Sequence, residues 1–392
     1  MAGLVMLGYT AYYFCRTNFS VGRPSQVAEL TASGLSTAAA TVALGRIATV
    51  GVLAGIVGKF FAGPVVLRIG GRAAFLLGML GATVATLAFG FSHSLTLFTL
   101  FWVLNRLFQA LGWPATVRIL GSWFSTGSYG RVMGIASLSW LFGDALARAG
   151  QARLLARGGD WHGVYLASAG GLLGVLMLCV LLLRERPVSP GATEEPAPLA
   201  LGEVFRRPAF LLVCVAAFGF TLVNVTLSEW LPLYFTRIGM SQGLAALASG
   251  LYPALGGVSA VAFGFLGDTL SARGRTRLLI LGLVFTAVTL SGFLFAKGIA
   301  QPLVLVALLG LFTGGPYAYT VGAAALDLVE ARRAATVNGI IDGVGYLGAL
   351  LAGEGVARLA VSLGWSGAFA ALAVVCVIGA MIATVLNSLK SG

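Results

Sequence analysis

Long apolar stretches alternate with short polar and charged segments along the whole chain. Each stretch holds about 20 residues, enough for a helix to cross a hydrocarbon core of about 30 Å. The stretches predict twelve transmembrane helices, near residues 2–22, 38–62, 73–92, 95–120, 130–155, 163–183, 208–235, 244–267, 277–296, 302–327, 335–362 and 365–388. A transmembrane β-barrel would instead show alternating segments of about 10 residues. The pattern therefore predicts an all-α membrane protein embedded in a lipid bilayer.

Composition excludes a water-soluble protein. The 392 residues are 58% hydrophobic and 10% charged, whereas soluble domains carry about 25% charged residues. The four cysteines lie far apart within apolar stretches, and His93 and His162 are isolated near predicted helix ends. Neither set has partners at the spacing of a disulfide framework or a metal site. The sequence thus predicts no metal site and no cofactor.

The chain divides into two similar halves. The polar segment 184–207, rich in Pro and Glu, is interpreted as a cytoplasmic linker between an N-terminal six-helix half, 1–183, and a C-terminal six-helix half, 208–392. Landmarks of the first half recur after an interval of about 200 residues in the second. The recurring landmarks are segments 63–72 and 264–273, Pro114 and Pro316, Arg131 and Arg333, and Trp161 and Trp365.

The net charge of +12 follows the predicted topology. One set of loops and ends holds thirteen Lys and Arg residues, and the opposite set holds five. The side with thirteen basic residues is expected to be cytoplasmic. The protein is therefore expected in the cell inner (plasma) membrane, with both termini on the cytoplasmic side. The basic balance therefore indicates no nucleic-acid partner.

The remaining basic residues fall within predicted helices. A charge at membrane depth costs at least about 2.5 kcal/mol, so it normally faces a cavity or a partner. Duplicated helix bundles are typical of secondary transporters, which bind substrate near the midplane between halves that rock against each other. An excess of cations favours a small anionic substrate. The residues concerned are Arg16, Arg46, Lys59, Arg106, Arg118, Arg148 and Arg358.

Five segments resemble one family of transporters. Residues 8–19, GYTAYYFCRTNF, are similar to the first span of the organophosphate:phosphate antiporter family within the major facilitator superfamily. GKFFAG at 58–63, FQALGWP at 108–114, EWLPLYF at 229–235 and GYLG at 345–348 agree in order. The resemblance implies a major facilitator fold and exchange of an organophosphate for inorganic phosphate by rocking alternating access. Because one chain supplies both halves, a monomer is expected.

The resemblance also implies substrate-binding residues. Arg16 falls where the family places a pocket arginine for the phosphoryl group, and Lys59 falls on its second-span lysine. A guanidinium matches phosphate oxygens with a planar fork, and an ammonium adds a point charge. Aromatic pocket walls are implied at Tyr9, Tyr13, Trp113 and Tyr346. Ordinary helix packing competes as an interpretation of the aromatics, and a structural ion pair competes for Arg16.

Three positions depart from the family pattern. Asn224 stands where the family places its second phosphate-binding cation, Phe142 stands at a histidine position, and Gly314 replaces a tyrosine. A doubly charged phosphate monoester would lose a donor at each. Either the substrate is a different or less charged anion, or Arg46 or Arg106 supplies the missing charge.

Acidic residues within the predicted helices are candidates for coupling or gating. Asp144 lies four residues before Arg148, a spacing that puts both on one helix face, so mutual neutralisation is the simpler interpretation. The functional interpretation is that Asp144, together with Asp342, takes up a proton during transport. Glu229 is expected to form an interhelical hydrogen bond or latch. Asp268 belongs to a loop motif interpreted as a conformational latch.

Three functions remain open from the residues alone. The leading hypothesis is a secondary active transporter of an organic anion, with phosphate as counter-ion. The first alternative is a proton-coupled transporter of a non-phosphate small molecule, and the second is a transporter-like membrane sensor that binds without flux. An enzyme is not expected, because no nucleophile, base and orienting group occur together.

Overall fold

The computed structural model describes residues 1–124, 126–186, 204–329 and 331–388. Every regular element in these ranges is helical, so the predicted all-α fold is confirmed for this part of the chain. Residues 187–203 of the predicted linker lie outside it. The α-helices are α1 (Ala2–Ala32), α2 (Thr37–Ile69), α3 (Gly71–Gly90), α4 (Leu95–Gln109), α5 (Gly112–Trp123), α6 (Thr126–Ala156), α7 (Trp161–Leu182), α8 (Pro208–Arg237), α9 (Gln242–Ser249), α10 (Leu251–Thr269), α11 (Ala272–Gly292), α12 (Ala300–Val321), α13 (Ala331–Leu351) and α14 (Glu354–Ser388).

Local sequence sets several helix starts. The Ser36 hydroxyl accepts a hydrogen bond from the Ala39 backbone N–H at the start of α2, and Asp160 caps α7 in the same way. Such caps satisfy backbone N–H groups that have no partner within the helix. Between α2 and α3, Gly70 adopts a positive φ of 89°. Glycine permits this tight turn because it has no β-carbon.

Nine helical segments in the described ranges are long and apolar enough to cross a membrane. The helices α1 and α6 are not among them, and the last segment, Thr336–Ser388, takes in parts of α13 and all of α14. Within α14, the helix is interrupted at Gly364, where φ is 71°. The chain is therefore a multi-pass membrane protein, while the count of twelve spans stays a prediction.

Some predicted spans have different boundaries in the structure. The span predicted at 95–120 is broken between α4 and α5, just before Pro114, and the span at 244–267 is broken at Gly250. A proline cannot donate to the helix ladder and crowds the preceding turn, which favours a break there. The first helix continues past its predicted end at residue 22, through Pro24, to Ala32.

The chain forms two compact units, each with its own apolar core. Unit 1 comprises Met1–Ala192 and Glu229–Gly250, and unit 2 comprises Thr193–Ser228 and Leu251–Gly392. In unit 1, α1 packs against α6 and α7, and α3 packs against α4. In unit 2, α10 packs against α12, and α11 against α14. The domain boundaries at 183 and 208 stay a prediction.

A close helix contact in unit 2 explains one departure from the family pattern. A β-carbon on Gly314 would lie 2.3 Å from the Cα of Gly256, far inside the contact distance of two carbon atoms. The backbones of α10 and α12 therefore touch at this point, as small residues allow in membrane helices. No side chain, and least of all a tyrosine ring, fits at Gly314.

Candidate functional site

Arg16 lies halfway along α1, with its side chain half-buried in unit 1. Its Nε donates a hydrogen bond of 2.8 Å to Oε1 of Gln109, and its Nη1 donates one of 3.1 Å to the Tyr13 hydroxyl. The guanidinium carbon lies 4.8 Å from the centre of the Tyr13 ring. The Gln109 amide and the Tyr13 hydroxyl are neutral groups, and these two bonds orient the guanidinium.

Gln109 is itself held by a buried polar network. Its Nε2 donates to Oδ1 of Asn105 at 2.7 Å and to the Cys15 carbonyl at 3.1 Å. Asn105 in turn donates to Oγ1 of Thr86 at 2.9 Å. With its amide nitrogen committed to these acceptors, Gln109 presents its oxygen to Arg16. Neither amide was predicted as a site residue, although polar residues at i and i+4 inside an apolar helix carry that signal.

The predicted aromatic residues of unit 1 lie beside Arg16. The ring of Tyr9 makes edge contacts with Tyr13, at 6.0 Å between centroids, and with Trp113, at 5.2 Å. Tyr9 and Tyr13 are buried in the core of unit 1, and Trp113 packs against that core. The three rings are therefore adjacent, which is compatible with a pocket wall. They also pack in the core, which is the competing interpretation, so their binding role stays a prediction.

Lys59 lies on α2 with an exposed side chain. The next two residues, Phe60 and Phe61, are also exposed, with 76% and 64% of their surface accessible. Apolar side chains with this exposure on a membrane helix normally face lipid. The predicted role of Lys59 in phosphate binding stays a prediction.

Asn224 belongs to a neutral chain of hydrogen bonds in unit 2. Its Nδ2 donates 3.1 Å to the hydroxyl of Tyr252, whose oxygen lies 3.0 Å from Oγ1 of Thr313. Tyr252 and Thr313 are buried, and Asn224 is half-buried. Where the family pattern has a cation, this unit therefore presents an amide supported by two hydroxyl groups.

Tyr346 and Asp342 are half-buried residues of α13, one helical turn apart. The glycines on either side of the GYLG motif bring α13 close to α8. A β-carbon on Gly345 would lie 2.7 Å from Oγ1 of Thr221, and one on Gly348 would lie 2.6 Å from the Phe218 carbonyl oxygen. The motif therefore has a packing role, and the binding role of Tyr346 and the coupling role of Asp342 stay predictions.

Asp144 and Arg148 form a buried ion pair on α6. The Nε of Arg148 lies 2.5 Å from Oδ1 of Asp144, and its Nη1 also donates to the hydroxyls of Ser20, at 3.3 Å, and Ser249, at 3.0 Å. The Arg148 side chain is 2% exposed. This is the arrangement expected for mutual neutralisation, and proton uptake by Asp144 would have to disrupt it.

Glu229 makes an interhelical contact with a residue that sequence analysis assigned to a loop. Arg23 lies inside α1, fully buried, and pairs with the Glu229 carboxylate. It also donates a 2.5 Å hydrogen bond to the Glu229 carbonyl oxygen, and its guanidinium lies 4.1 Å from the centre of the Trp230 ring. Assigning Arg23 to a loop was wrong, because α1 extends ten residues beyond the predicted end at 22.

The loop after α2 obtains its carboxylate from a distant segment. Leu67 occupies, in segment 63–72, the position that Asp268 occupies in segment 264–273. Arg118 of α5 donates to the carbonyl oxygens of Val66 and Leu67, at 2.7 and 3.2 Å. The Nε of Arg118 lies 2.8 Å from Oε1 of Glu185, just after α7. Glu185 thus brings a carboxylate to this loop from a segment that is distant in sequence.

Glu185 is held in its charged form. Burial alone would raise the pKa of this carboxyl. Hydrogen bonds from the backbone N–H groups of Arg72 and Gly71 and from the Arg118 side chain outweigh burial, and the pKa lies below its ordinary value. The loop of unit 1 is therefore closed by a carboxylate that stays ionised at neutral pH.

The corresponding loop of unit 2 has a different carboxylate. Arg275 forms two bonds with Asp327, of 2.6 and 2.7 Å, and donates to the Gly267 carbonyl oxygen at 2.9 Å. The Tyr319 hydroxyl donates to the same carboxylate. The predicted latch residue, Asp268, is exposed at the end of α10. The latch role assigned to Asp268 stays a prediction, and Asp327 was not foreseen.

Comparison with known proteins identifies the family of this fold. The family model described as Major Facilitator Superfamily matches residues 5–353. The chain belongs to this superfamily. Among its relatives are the membrane sensor protein UhpC of Salmonella typhimurium, 28% identical with 96% of this chain and 89% of that protein covered, and putative glycerol-3-phosphate transporter 3 of Arabidopsis thaliana, 29% identical with 80% and 70% covered. A probable hexose phosphate transport protein of Chlamydia trachomatis is 27% identical, with 96% and 88% covered.

Solved structures agree on the fold of this major facilitator protein. A D-xylose-proton symporter superposes with a TM-score of 0.78, covering 97% of this chain and 96% of that one at 16% identity. A bacterial homologue of the human lysosomal transporter Spinster, inward-facing and occupied, superposes with a TM-score of 0.77 at 17% identity, covering 99% and 96%. At such identities the likeness shows the fold alone.

The relatives confirm two expectations from the sequence. The resemblance to the organophosphate:phosphate antiporter family is confirmed, because the relatives carry names of that kind. The expectation of a secondary transporter rather than an enzyme is confirmed by the superfamily and by the same relatives.

Proposed function

We propose that this protein is a secondary active transporter of a small organic phosphate, exchanged for inorganic phosphate by alternating access. The observation that carries the proposal is the Arg16 cluster of unit 1. Hydrogen bonds to the neutral groups of Gln109 and Tyr13 orient the Arg16 guanidinium. Such a group binds phosphate through charge-assisted hydrogen bonds.

Two fully buried arginines of unit 1 pair with carboxylates. Arg148 pairs with Asp144, and Arg23 pairs with Glu229, so carboxylates compensate both charges. A compensated arginine fastens helices together and offers little attraction to an anion. Arg23 and Arg148 are therefore not proposed as substrate-binding residues.

The polar cluster of unit 2 is neutral. The Asn224 amide with Tyr252 and Thr313 can donate and accept hydrogen bonds but adds no charge. A single oriented cation favours a phosphate group of lower charge. Alternatively, Lys59, Arg46 or Arg106 supplies additional positive charge when a doubly charged monoester binds. The relatives named for glycerol-3-phosphate and hexose phosphate support this substrate class.

The proposed topology has twelve spans in two six-helix halves, with both termini on the cytoplasmic side of the inner membrane. Adding α1 and α6 to the nine apolar segments, and dividing the last segment at its Gly364 break, gives that number. The helix α1 is less apolar than these segments because it carries the charged residues Arg16, Arg23 and Glu29, which are buried or half-buried. A monomer is proposed as the working form.

The test is exchange of labelled phosphate by purified protein in liposomes preloaded with phosphate. Wild type is expected to exchange, and Arg16→Ala is expected to abolish exchange. Arg358→Ala is the matched control, since Arg358 is 63% exposed and pairs on its own helix with Glu354. Exchange that survives Arg16→Ala would remove Arg16 from the site. A folded wild type without exchange would overturn phosphate antiport.

A sensor is the second candidate, because the relative named a membrane sensor covers 96% of this chain. It predicts that phosphate esters stabilise the protein against heat in detergent while liposomes show no flux. Proton coupling is separated by imposing a pH gradient across the same liposomes. Uptake driven by that gradient without internal phosphate would favour the proton-coupled alternative over exchange.

A further inference from the structure

Both histidines of the chain lie beside one carboxylate. The sequence contains two histidines in all. His93 is in the connection between α3 and α4, His162 is the second residue of α7, and Glu29 is in the last turn of α1. The expectation that the histidines are isolated is wrong, because the fold of unit 1 gathers three segments that are far apart in sequence.

The spacing of these groups suits a metal ion better than direct hydrogen bonds. Nδ1 of His93 lies 3.6 Å from one oxygen of Glu29, and Nε2 of His162 lies 3.6 Å from the other. A hydrogen bond would require about 3.2 Å or less. Two ligand atoms held about 2.05 Å from one tetrahedral ion lie about 3.3 Å apart, so the observed spacing exceeds the ligand spacing by only about 0.3 Å. All three ligand atoms lie within 4.8 Å of one another.

The protonation of His162 favours metal binding. Its Nδ1 lies 2.6 Å from the carbonyl oxygen of Gly90, which can only accept, so Nδ1 carries the proton. In the neutral ring, Nε2 therefore directs a lone pair toward the Glu29 carboxylate. Two electron-rich groups face each other across a gap that a cation would fill. Metal-binding histidines are commonly oriented by such a bond from the second ring nitrogen.

Trp161 holds the carboxylate and one imidazole in place. Its indole Nε1 donates a 2.6 Å hydrogen bond to Oε2 of Glu29. Its ring stacks on His162 with centroids 3.7 Å apart. Trp161 is 2% exposed, so the surrounding core fixes its position. Two of the three ligands are thus oriented before any ion binds, which lowers the cost of ordering them.

We propose that Glu29, His93 and His162 bind a divalent transition-metal ion, Zn²⁺ foremost, with water completing the coordination. Two imidazoles and one carboxylate are a ligand set suited to zinc, whereas calcium and magnesium require oxygen ligands. Glu29 and His162 are partly accessible and His93 is 72% exposed, which leaves room for water and for the His93 ring to turn toward the ion. The ion fastens the end of α1 to α7 and to the α3–α4 connection.

The first test is calorimetric titration of the purified full-length protein, without a histidine tag, with ZnCl₂ in detergent. One ion per chain is expected, and Mg²⁺ is expected not to bind. The four cysteines are buried and do not compete. His93→Ala is expected to weaken zinc binding at least about 100-fold, beyond the effect usual for an outer-shell residue. Because His93 is largely exposed, this variant should fold normally.

The matched carboxylate comparison is Glu29→Gln against Glu354→Gln. Glu29→Gln is expected to weaken binding as strongly as His93→Ala, and Glu354→Gln, in unit 2, is expected to leave it unchanged. Zinc bound equally well by His93→Ala and Glu29→Gln would overturn the proposal, as would the absence of binding to wild type at 100 µM, about the weakest useful affinity.

A spectroscopic signature separates metal ligation from nonspecific effects. With ¹⁵N-labelled histidine, the chain gives signals from two imidazoles. Zinc is expected to shift Nε2 of His162 and Nδ1 of His93, while Nδ1 of His162 keeps its proton. Trp161→Phe is expected to weaken binding about tenfold with the same two nitrogens shifted, as for a positioning residue. A shift at Nδ1 of His162 instead would contradict the proposed geometry.

Discussion

The polar clusters of the two compact units differ in charge. In unit 1, the cluster is built around Arg16, which Gln109 and Tyr13 orient. In unit 2, Asn224 and Tyr252 form a cluster from amide and hydroxyl groups alone. The two units therefore hold polar clusters of different chemistry, and the charged cluster is the one expected to determine anion binding.

The loop after α2 and the loop after α10 differ in a similar way. In unit 1, where Leu67 replaces the motif acid, Arg118 pairs with Glu185. In unit 2, Arg275 pairs with Asp327. Both loops are closed by an arginine and a carboxylate, but the carboxylate comes from a different part of each unit. The interaction is retained where the sequence motif is not.

The strongest test of the comparison is Arg16→Asn, which gives unit 1 the amide chemistry of unit 2. Loss of a charge-assisted bond to an anion costs up to about 3 kcal/mol, so phosphate exchange should fall about 100-fold. Initial rates in proteoliposomes measure it, with Arg358→Asn as the control. A rate within threefold of wild type would show that the charge difference between the units does not determine binding.

Disrupting the hydrogen-bond network around Arg16 should destabilise the protein more than disrupting the neutral network around Asn224. Gln109→Leu removes the acceptor of Arg16 and the donor to Asn105, and it should destabilise the folded protein by about 2 kcal/mol. Thr313→Val removes one neutral partner in unit 2 and should cost about 1 kcal/mol. Unfolding in mixed micelles compares them. Equal losses would mean that the two networks support their clusters equally.

Adding a positive charge to the neutral cluster of unit 2 should reduce the difference in charge between the two clusters and strengthen binding of a phosphate monoester. Asn224→Arg places a second guanidinium where the family pattern has a cation, and glycerol 3-phosphate should compete for phosphate exchange about tenfold more strongly, equivalent to about 1.4 kcal/mol. Gln301→Arg adds the same charge at an exposed position and is the control. Weaker competition in Asn224→Arg would show that unit 2 selects substrates through its neutrality.

The loops give the smallest expected effect, and it depends on pH. Because the folded-state pKa of Glu185 is lowered, its contribution to stability is present above the unfolded pKa of about 4.3 and is lost as pH falls through the folded value. Glu185→Gln should therefore cost about 1 kcal/mol at pH 7, and this difference should disappear as the pH falls through the folded-state pKa of Glu185. Thermal unfolding at several pH values measures this. A constant difference at all pH values would contradict it.

The periodicity of the sequence was sufficient to predict the helical fold and the proximity of residues that lie a few positions apart on one helix. Tyr9, Tyr13 and Arg16 recur on one face of α1, so their proximity follows from helical periodicity. The Asp144–Arg148 pair follows from the same rule. The apolar run lengths predicted membrane helices, and motifs quoted from several spans predicted the family.

The remaining contacts join residues that periodicity does not relate. Glu185 reaches Arg118 only because α7 ends beside α5, and no residue near Leu67 indicates it. Glu29, His93 and His162 meet because three helix ends coincide. The end of α1 was placed too early, since Arg23 and Pro24 resemble a helix stop unless the carboxylate of Glu229 is known to be adjacent. Gln109 was quoted in a motif, but its partner was not apparent.

The buried pair of Arg23 and Glu229 affects how the chain is made. The two residues are 206 positions apart, so the ribosome synthesises α1–α7 and most of α8 before the arginine can meet its carboxylate. Until then Arg23 lacks this partner, and an unpaired arginine at membrane depth costs at least about 2.5 kcal/mol. The stability of the first helix therefore depends on a helix that is made much later.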